Sequence, residues 1–277
     1  MIELPESYVL ATQINGSLTG KTIRSVTANA HQHKFATFNG DPAQYEMALT
    51  GKRVISASLG MNKNSGSHVE ILCADTLLVV SASIRYYTPG EAVAPKHQLM
   101  LEFEDASHMC CIVQIWGSVL SIPAADIGDP EKYPGLHMPT PLDDAFNMDY
   151  FTELIQQARP ILSAKAFLTG ERRIPGLGNG VMHDVLYNAR IHPKRKIDTF
   201  TQIDKDKLFN SIKSTLRYMA ERGGRDTEFD LFGNAGGYKT ILSIKSSGLP
   251  CGVCRKIIQK EMYLGGNIYY CPECQPL

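Results

Sequence analysis

Four cysteines near the C-terminus constrain the folding of this chain more than any other feature. Cys251 and Cys254 form one C-x2-C pair, Cys271 and Cys274 form a second, and sixteen residues separate the pairs. This spacing is typical of a hairpin whose four thiolates bind one tetrahedral Zn²⁺. The polar, turn-rich segment between the pairs cannot bury a core of its own and needs such a cross-link. We predict a structural zinc site, and two disulfides are the alternative.

The cellular compartment decides between zinc and disulfides. We find no charged-then-apolar leader and no apolar run near the length of a membrane span, so we expect a cytoplasmic protein. Thiols stay reduced in the cytosol, which favours zinc. The remaining cysteines, Cys73, Cys110 and Cys111, lie in apolar, strand-like stretches, where core residues are expected rather than nucleophiles.

Charge is unevenly distributed along the chain, although the 277 residues carry no net charge. Residues 1–150 contain 9 Lys and Arg against 16 Asp and Glu, whereas residues 151–277 contain 19 against 12. The excess of positive charge in the second half therefore favours binding to a polyanion such as nucleic acid. A solvated helix face, or chance, accounts for part of such a bias equally well.

The apolar pattern of the first half predicts short β-strands. A helix over residues 5–18 comes first, because Pro5 suits a first helical turn and Gly20 follows the end. The predicted strands are 22–26, 54–57, 68–72, 76–80, 98–103 and 109–116. Many short strands at close spacing predict a two-sheet sandwich or a barrel.

The second half has a helical apolar period. Five prolines within residues 121–142 predict a linker before it. Helices are predicted over residues 147–158, 163–170, 179–188 and 201–221, followed by a glycine-rich loop over 223–237. The sequence Pro-Gly-Leu-Gly-Asn precedes the third helix, where glycines let backbone N–H groups approach a phosphate. A plain tight turn is the alternative at that point.

Three ordered motifs resemble those of the bacterial formamidopyrimidine-DNA glycosylase and endonuclease VIII family. Residues 3–6, ELPE, are similar to the opening of the family's N-terminal helix. Residues 175–179, PGLGN, and 189–193, ARIHP, are similar to its helix-two-turn-helix signature. Residues 250–254, PCGVC, and 269–275, YYCPECQ, resemble its zinc finger, so the resemblance runs from end to end.

The resemblance implies an α+β fold with two domains. A β-sandwich with a short N-terminal helix is expected over residues 1–135. A helix-two-turn-helix domain is expected over residues 143–225, and it carries a zinc-finger hairpin over residues 240–277. The implied activity is base-excision DNA glycosylase, with an AP-lyase step, on oxidised or otherwise damaged bases. The implied protein is a monomer that binds damaged double-stranded DNA near the bacterial nucleoid and has no membrane partner.

The family's nucleophile is the N-terminal amine, usually of a proline exposed by removal of the initiator methionine. Here Ile2 follows Met1, which departs from that pattern. The Ile2 amine attacks if Met1 is removed, whereas a retained Met1 displaces the amine by up to about 3.5 Å. A third possibility is that Lys239 takes over, although phosphate contact or solvent exposure also explains this lysine. Glu3 matches the catalytic carboxylate, with a helix N-terminal acid as the alternative.

Three positions carry the implied contacts with the DNA backbone, and a fourth has lost one. Gly178 and Asn179 match the phosphate-binding loop of the family, and Lys165 falls in the first helix of the gripping pair. Gly266 stands where the family's zinc hairpin has an arginine, so one expected phosphate contact is missing.

Other positions carry the implied contacts with the DNA bases. Ile84 stands where the family usually has a methionine, and Ile115 and Trp116 stand where arginine and phenylalanine are usual. These side chains are expected to fill the space left by the extruded base, although a lone tryptophan on a strand is by default a core residue. Tyr238 lies in the segment similar to the family's lesion loop.

Two other functions compete with the glycosylase. A catalytically weakened protein that binds damaged or abasic DNA fits the missing proline and the missing hairpin arginine. A zinc-ribbon protein acting on RNA or within a protein complex fits the cysteines, but it has no need of the ELPE motif.

Overall fold

The structure, a computed structural model, describes residues 2–62, 66–127, 129, 138–171 and 173–277. Two compact units are present. Unit 1 comprises Met1–Met138 and Gly223–Gly237, and unit 2 comprises Pro139–Arg222 and Tyr238–Leu277. The glycine-rich segment thus belongs to unit 1, although helical residues of unit 2 precede it in sequence. None of the described helices combines the length and apolar character that a membrane crossing requires.

Unit 1 begins with helix α1 (Leu4–Ser17), which starts after Glu3 and has Pro5 in its first turn. The predicted helix over 5–18 is confirmed to within one residue. A short helix, α2 (Gln44–Leu49), was not predicted. The strands are β1 (Ile23–Ala28), β2 (Ala36–Phe38), β3 (Val54–Asn62), β4 (Gly66–Cys73), β5 (Thr76–Val80), β6 (Ser83–Tyr87), β7 (Leu99–Phe103), β8 (His108–Ile112) and β9 (Gly117–Pro123).

These strands form two sheets that enclose one core. The first sheet has the order β1-β7-β8-β6, and the second has the order β2-β9-β5-β4-β3. Only the β2–β9 pair is parallel among the described strand pairs. Buried side chains from both sheets and from α1 form a single cluster, which includes Leu10, Ile14, Ile71, Leu101 and Val119. The predicted sandwich is confirmed.

The structure corrects two boundaries in unit 1. The strand predicted over 109–116 ends at Ile112, and residues 114–116 form a bend before β9. Strand β9 extends into the predicted linker as far as Pro123, which pairs with Thr76 at the end of the strand. A proline is tolerated there because few ladder hydrogen bonds remain to be made. Strands β2, β6 and β9 had not been predicted.

Unit 2 contains the four predicted helices, now placed as α3 (Met148–Gln157), α4 (Ala164–Thr169), α5 (Asn179–Ala189) and α6 (Gln202–Glu221). Three of them begin after a side chain that accepts a backbone N–H from the first turn, namely Asn147, Ser163 and Thr201. Such caps explain why the sequence located these helices to within one or two residues.

A two-stranded hairpin ends unit 2. Strands β10 (Gln259–Tyr263) and β11 (Gly266–Tyr270) pair antiparallel across the turn Leu264–Gly265, and both turn residues have positive φ. The buried Gln275 holds the hairpin to the chain after α5: its amide donates to the Ile191 carbonyl at 2.9 Å and accepts from the Cys271 N–H at 3.1 Å. The IHP and zinc-finger motifs are therefore in direct contact.

Candidate functional site

The four C-terminal cysteines converge at the base of the hairpin. Their Sγ atoms all lie within 4.8 Å of one another. The Cys251–Cys274 distance is 3.8 Å and the Cys254–Cys271 distance is 3.3 Å, so neither pair is a disulfide. Around one tetrahedral ion with metal–sulfur bonds near 2.3 Å, sulfur atoms are about 3.8 Å apart. The residues present therefore fit a four-thiolate metal site.

The remaining cysteines are core residues, as predicted. Cys73, Cys110 and Cys111 are fully buried in unit 1. Burial raises the pKa of the Cys73 and Cys110 thiols to about 12, so neither is an activated thiolate.

The start of helix α5 lies beside the hairpin. Gly178 is the residue before the helix, and Asn179, its first residue, is exposed. A Cβ atom added to Gly266 would lie 3.2 Å from Asn179 Nδ2 and 3.6 Å from Lys165 Nζ. The phosphate-loop motif, the lysine of α4 and the glycine that replaces the family's arginine therefore meet at one place in unit 2.

Lys165 reaches this place from a buried position. The residue is only 3% exposed, and its ammonium donates a 2.6 Å hydrogen bond to the carbonyl of Tyr263 at the hairpin turn, 98 residues away in sequence. Burial lowers the pKa of Lys165 below its usual value. A cation thus stands next to Gly266, where the family's arginine is missing.

Glu3 lies at the start of helix α1 with its side chain 11% exposed. Its backbone N–H donates to Glu6 Oε2 at 3.2 Å. The Arg225 guanidinium binds Glu6 at two points, Nε to Oε1 at 2.9 Å and Nη2 to Oε2 at 2.8 Å, and its Nη1 lies 3.7 Å from Glu3 Oε1. Glu228 completes the cluster, with Oε1 3.9 Å from Arg225 Nη2.

The electrostatics of this cluster follow from its burial. Desolvation alone would lower the pKa of Arg225, but the carboxylates of Glu3 and Glu6 outweigh that effect and raise it. Arg225 is therefore permanently charged. Desolvation raises the pKa of Glu228 despite the opposing effect of Arg225. Sequence reasoning missed Arg225, because its main partner is 219 residues away and no local pattern marks it.

A cleft of about 330 Å³ lies within unit 1 next to this cluster. Glu228, Ile84, Arg85 and Gln114 contribute to its lining. One nitrogen of Arg85, Nη1, is buried and has no hydrogen-bond partner among the described residues. Glu228 belongs to both the cleft and the Arg225 cluster, so the two meet at this residue.

The residues predicted to contact the DNA bases differ in their burial. Ile84 is only 3% exposed and packs in the unit 1 core. Tyr238 is 5% exposed, and its hydroxyl donates to Asp184 Oδ2 at 3.0 Å. Ile115 does fit a surface role, since it is 71% exposed in the bend after β8, and Trp116 beside it is partly buried.

The candidate nucleophiles differ in their burial. Ile2 is 4% exposed and packs in the unit 1 core, whereas Lys239, in unit 2, is exposed. The hypothesis of an activated lysine relies on burial, which is not found at Lys239. Met1 lies outside the described residues.

Part of the chain matches a known family model, and the whole chain is similar to individual proteins. The model of the formamidopyrimidine-DNA glycosylase H2TH domain matches residues 138–230. A formamidopyrimidine-DNA glycosylase of Bacillus cereus is 29% identical over 293 aligned residues, which cover 100% of this chain and 99% of the relative. One of Lactobacillus gasseri is 26% identical, with 100% and 99% covered. With the protein of another B. cereus strain the match spans about half of the relative, 53% of its length.

Solved structures share the fold over almost the whole chain. The MutM (Fpg) protein of Thermus thermophilus superposes with a TM-score of 0.79 at 22% identity, covering 99% of this chain and 98% of that one. The Lactococcus lactis Fpg (MutM) in complex with DNA containing Fapy-dG superposes with a TM-score of 0.82 at 22% identity, covering 99% and 100%.

Proposed function

This chain belongs to the formamidopyrimidine-DNA glycosylase family, and from that premise we propose that it is a base-excision DNA glycosylase acting on damaged bases in duplex DNA. One observation carries the proposal. The phosphate-loop residue Asn179, the Lys165 ammonium and the hairpin turn at Gly266 meet in unit 2, although they come from three separate parts of the sequence. We place the protein in the cytoplasm with the nucleoid, where such DNA is found.

The DNA backbone is gripped at this meeting point. The N-terminus of α5 directs backbone N–H groups and the positive end of its dipole outward. Asn179 offers an amide donor, and Lys165 supplies the positive charge that the hairpin lacks at Gly266. These groups read charge and shape rather than bases, so they position the duplex without selecting a lesion.

Base removal is assigned to the start of α1. In the proposed step an amine attacks the sugar C1′, the glycosidic bond breaks, and the departing base takes up a proton. The C1′–O4′ bond then breaks as O4′ takes up a proton, which gives the Schiff base. Loss of a proton from C2′ expels the 3′ phosphate and nicks the strand. Glu3 donates and accepts the protons of these steps, because Glu6, the other carboxylate of the ELPE motif, is engaged in a two-point ion pair.

The metal we assign to the four cysteines is Zn²⁺. Thiolate donors in a closed tetrahedron suit this ion, and the free thiols cross-link the two ends of the hairpin through it. Tyr187 lies 3.1 Å from Cys251 and supports the site from α5. Zinc has no step in the reaction. Its role is to hold the hairpin turn, and with it Gly266, beside Asn179.

A second function is favoured by one observation, the burial of Ile2. Because Ile2 is anchored in the core, its amine is poorly placed to attack a sugar. The protein in this alternative binds damaged or abasic DNA without cleaving it. The missing hairpin arginine points the same way.

Borohydride reduction in the presence of abasic-site DNA tests the proposal. A Schiff base is trapped as a covalent adduct, and mass spectrometry locates it at residue 1, at Ile2 or at Lys239. A panel of lesion duplexes is assayed in parallel for base release. Base release without an adduct would retain the glycosylase and remove the lyase step. Tight binding to abasic DNA with neither activity would establish the binding protein instead.

A further inference from the structure

The glycine-rich segment of unit 1, Gly223–Gly237, holds Arg225 against helix α1. Gly224 has φ +92°, and Gly236 comes so close that a Cβ atom there would lie 2.3 Å from the Gly224 carbonyl carbon. The two ends of the segment are thereby fixed against each other. Leu231, midway along it, is fully buried in the core, and its N–H donates to Gln13 of α1 at 2.9 Å. Arg225 is thus presented to α1 from a segment held at several points.

The guanidinium of Arg225 has a different partner on each of its edges. The edge formed by Nε and Nη2 is occupied by the Glu6 carboxylate, which also accepts the Arg225 backbone N–H at 3.2 Å. The remaining amine, Nη1, faces Glu3 Oε1 at 3.7 Å, within ion-pair range but longer than a hydrogen bond. The bonds to Glu6 therefore fix the plane of the guanidinium and direct its free amine, Nη1, toward Glu3.

Because Arg225 is buried, the position of its Nη1 acts on the Glu3 carboxylate. Arg225 is 3% exposed, so its charge is screened little by solvent. Its planar guanidinium is already fixed at two points by Glu6, which leaves Nη1 no freedom to turn away from Glu3. The Glu3 carboxylate caps the backbone N–H of Glu6 and is attracted toward Nη1 of Arg225, while the Glu3 backbone N–H donates to the Glu6 carboxylate.

We propose that Arg225 is the positioning residue of Glu3, orienting this carboxylate for proton transfer without itself touching the DNA. This inference rests on the proposed function. Glu6 acts with it, because the same carboxylate binds both the Glu3 N–H and the guanidinium. We expect this arrangement to fix the distance between Glu3 and the reacting sugar. The rate of proton transfer depends on that distance.

The test compares Arg225→Lys and Arg225→Gln with the wild-type protein in single-turnover base release at saturating enzyme. Lysine keeps the charge but not the two-point geometry, and glutamine removes both. We expect the rate to fall about 10-fold for Arg225→Lys and about 100-fold for Arg225→Gln, while the affinity for abasic DNA stays within about 2-fold. A purely structural role for Arg225 would instead lower the rate and the affinity together.

Two controls keep the outcome decisive. Arg24→Gln makes the same change at an exposed arginine of β1 and should leave the rate and the affinity unchanged. The double variant Arg225→Gln with Glu6→Gln replaces the buried ion pair by an amide pair, so a folded protein without the cation is available if the single variant unfolds. Wild-type rates in the folded Arg225 variants, or equal losses of rate and affinity, would overturn the inference. Absence of base release from the wild-type protein would instead overturn the proposed function.

Discussion

The Glu6 carboxylate holds the Arg225 guanidinium at two points, with donor–acceptor distances of 2.9 Å and 2.8 Å. Both residues are 3% exposed, and 219 residues separate them in sequence. The pair joins the first turn of α1 to the glycine-rich segment within unit 1. Since both charges are desolvated, each is stabilised only as long as the other is present.

Removing one partner of this pair should therefore be costly. Glu6→Ala leaves the Arg225 charge buried without its two-point acceptor, and we expect a loss of about 3–5 kcal/mol in the free energy of unfolding. Urea denaturation followed by circular dichroism measures this loss. Glu104→Ala, at an exposed loop position, is the matched control and should change stability by less than about 0.5 kcal/mol. Equal effects of the two substitutions would contradict the importance given to the pair.

Glu3→Gln should separate chemistry from binding. The amide has nearly the same shape as the carboxylate but does not exchange protons, so we expect single-turnover base release to fall by about 10² to 10⁴-fold. Thermal stability and affinity for abasic DNA should remain close to those of the wild-type protein. Glu104→Gln serves as the surface control. If Glu3→Gln released bases at the wild-type rate, Glu3 would be no more than the residue that starts α1.

Removing the metal should weaken DNA binding, because the hairpin loses its fixed position. A zinc chelator, or Cys271→Ser, leaves the hairpin without its cross-link, so Gly266 and Tyr263 lose their fixed position beside Asn179 and Lys165. We expect one zinc per chain by elemental analysis and at least about a 10-fold loss of DNA affinity after chelation. Cys73→Ser, in the core of unit 1, should leave the zinc content unchanged. Full DNA affinity in the zinc-free protein would remove the hairpin from the interface.

The charge of Lys165 should be visible in the pH dependence of DNA binding. Burial lowers its pKa from 10.5, and only the protonated form attracts a phosphate. Affinity should thus be complete below the lowered pKa and decline as the pH rises through it. Lys165→Arg, which stays charged, should lose this alkaline decline, and Lys165→Met should reduce the slope of log affinity against log salt by about 1. Fluorescence anisotropy measures both, and an unchanged salt slope in Lys165→Met would exclude a phosphate contact.

Gly266→Arg should return a contact that this chain lacks. The new Cβ atom would lie 3.2 Å from Asn179 Nδ2, so the asparagine side chain must shift by a few tenths of an ångström. That is feasible because Asn179 is exposed. We expect tighter DNA binding with a salt slope steeper by about 1, since one more cation meets the backbone. Gly265→Arg is the contrasting change, because φ is +73° at Gly265 and a side chain there strains the turn.

Local patterns in the sequence located much of this molecule. The four cysteines specified a metal-type hairpin, and the capping residues Asn147, Ser163 and Thr201 marked where helices begin. These features depend on residues within a few positions of one another. The alternation of apolar and polar residues in unit 1 likewise indicated a sandwich. Short strands such as β2 and β6 were not predicted, because they have too few residues to show a period.

By itself the sequence determined the α+β architecture, the four-cysteine hairpin and the three motifs, because spacing along the chain is sufficient to specify caps, turns and cysteine pairs. Only the tertiary structure decided which charges are neighbours. It buried Ile84 and Tyr238, brought Lys165 to the hairpin across 98 residues, and set Arg225 between Glu3 and Glu6 across 219. Contacts between distant residues leave no periodic trace in a single sequence, since they arise from packing of the whole unit.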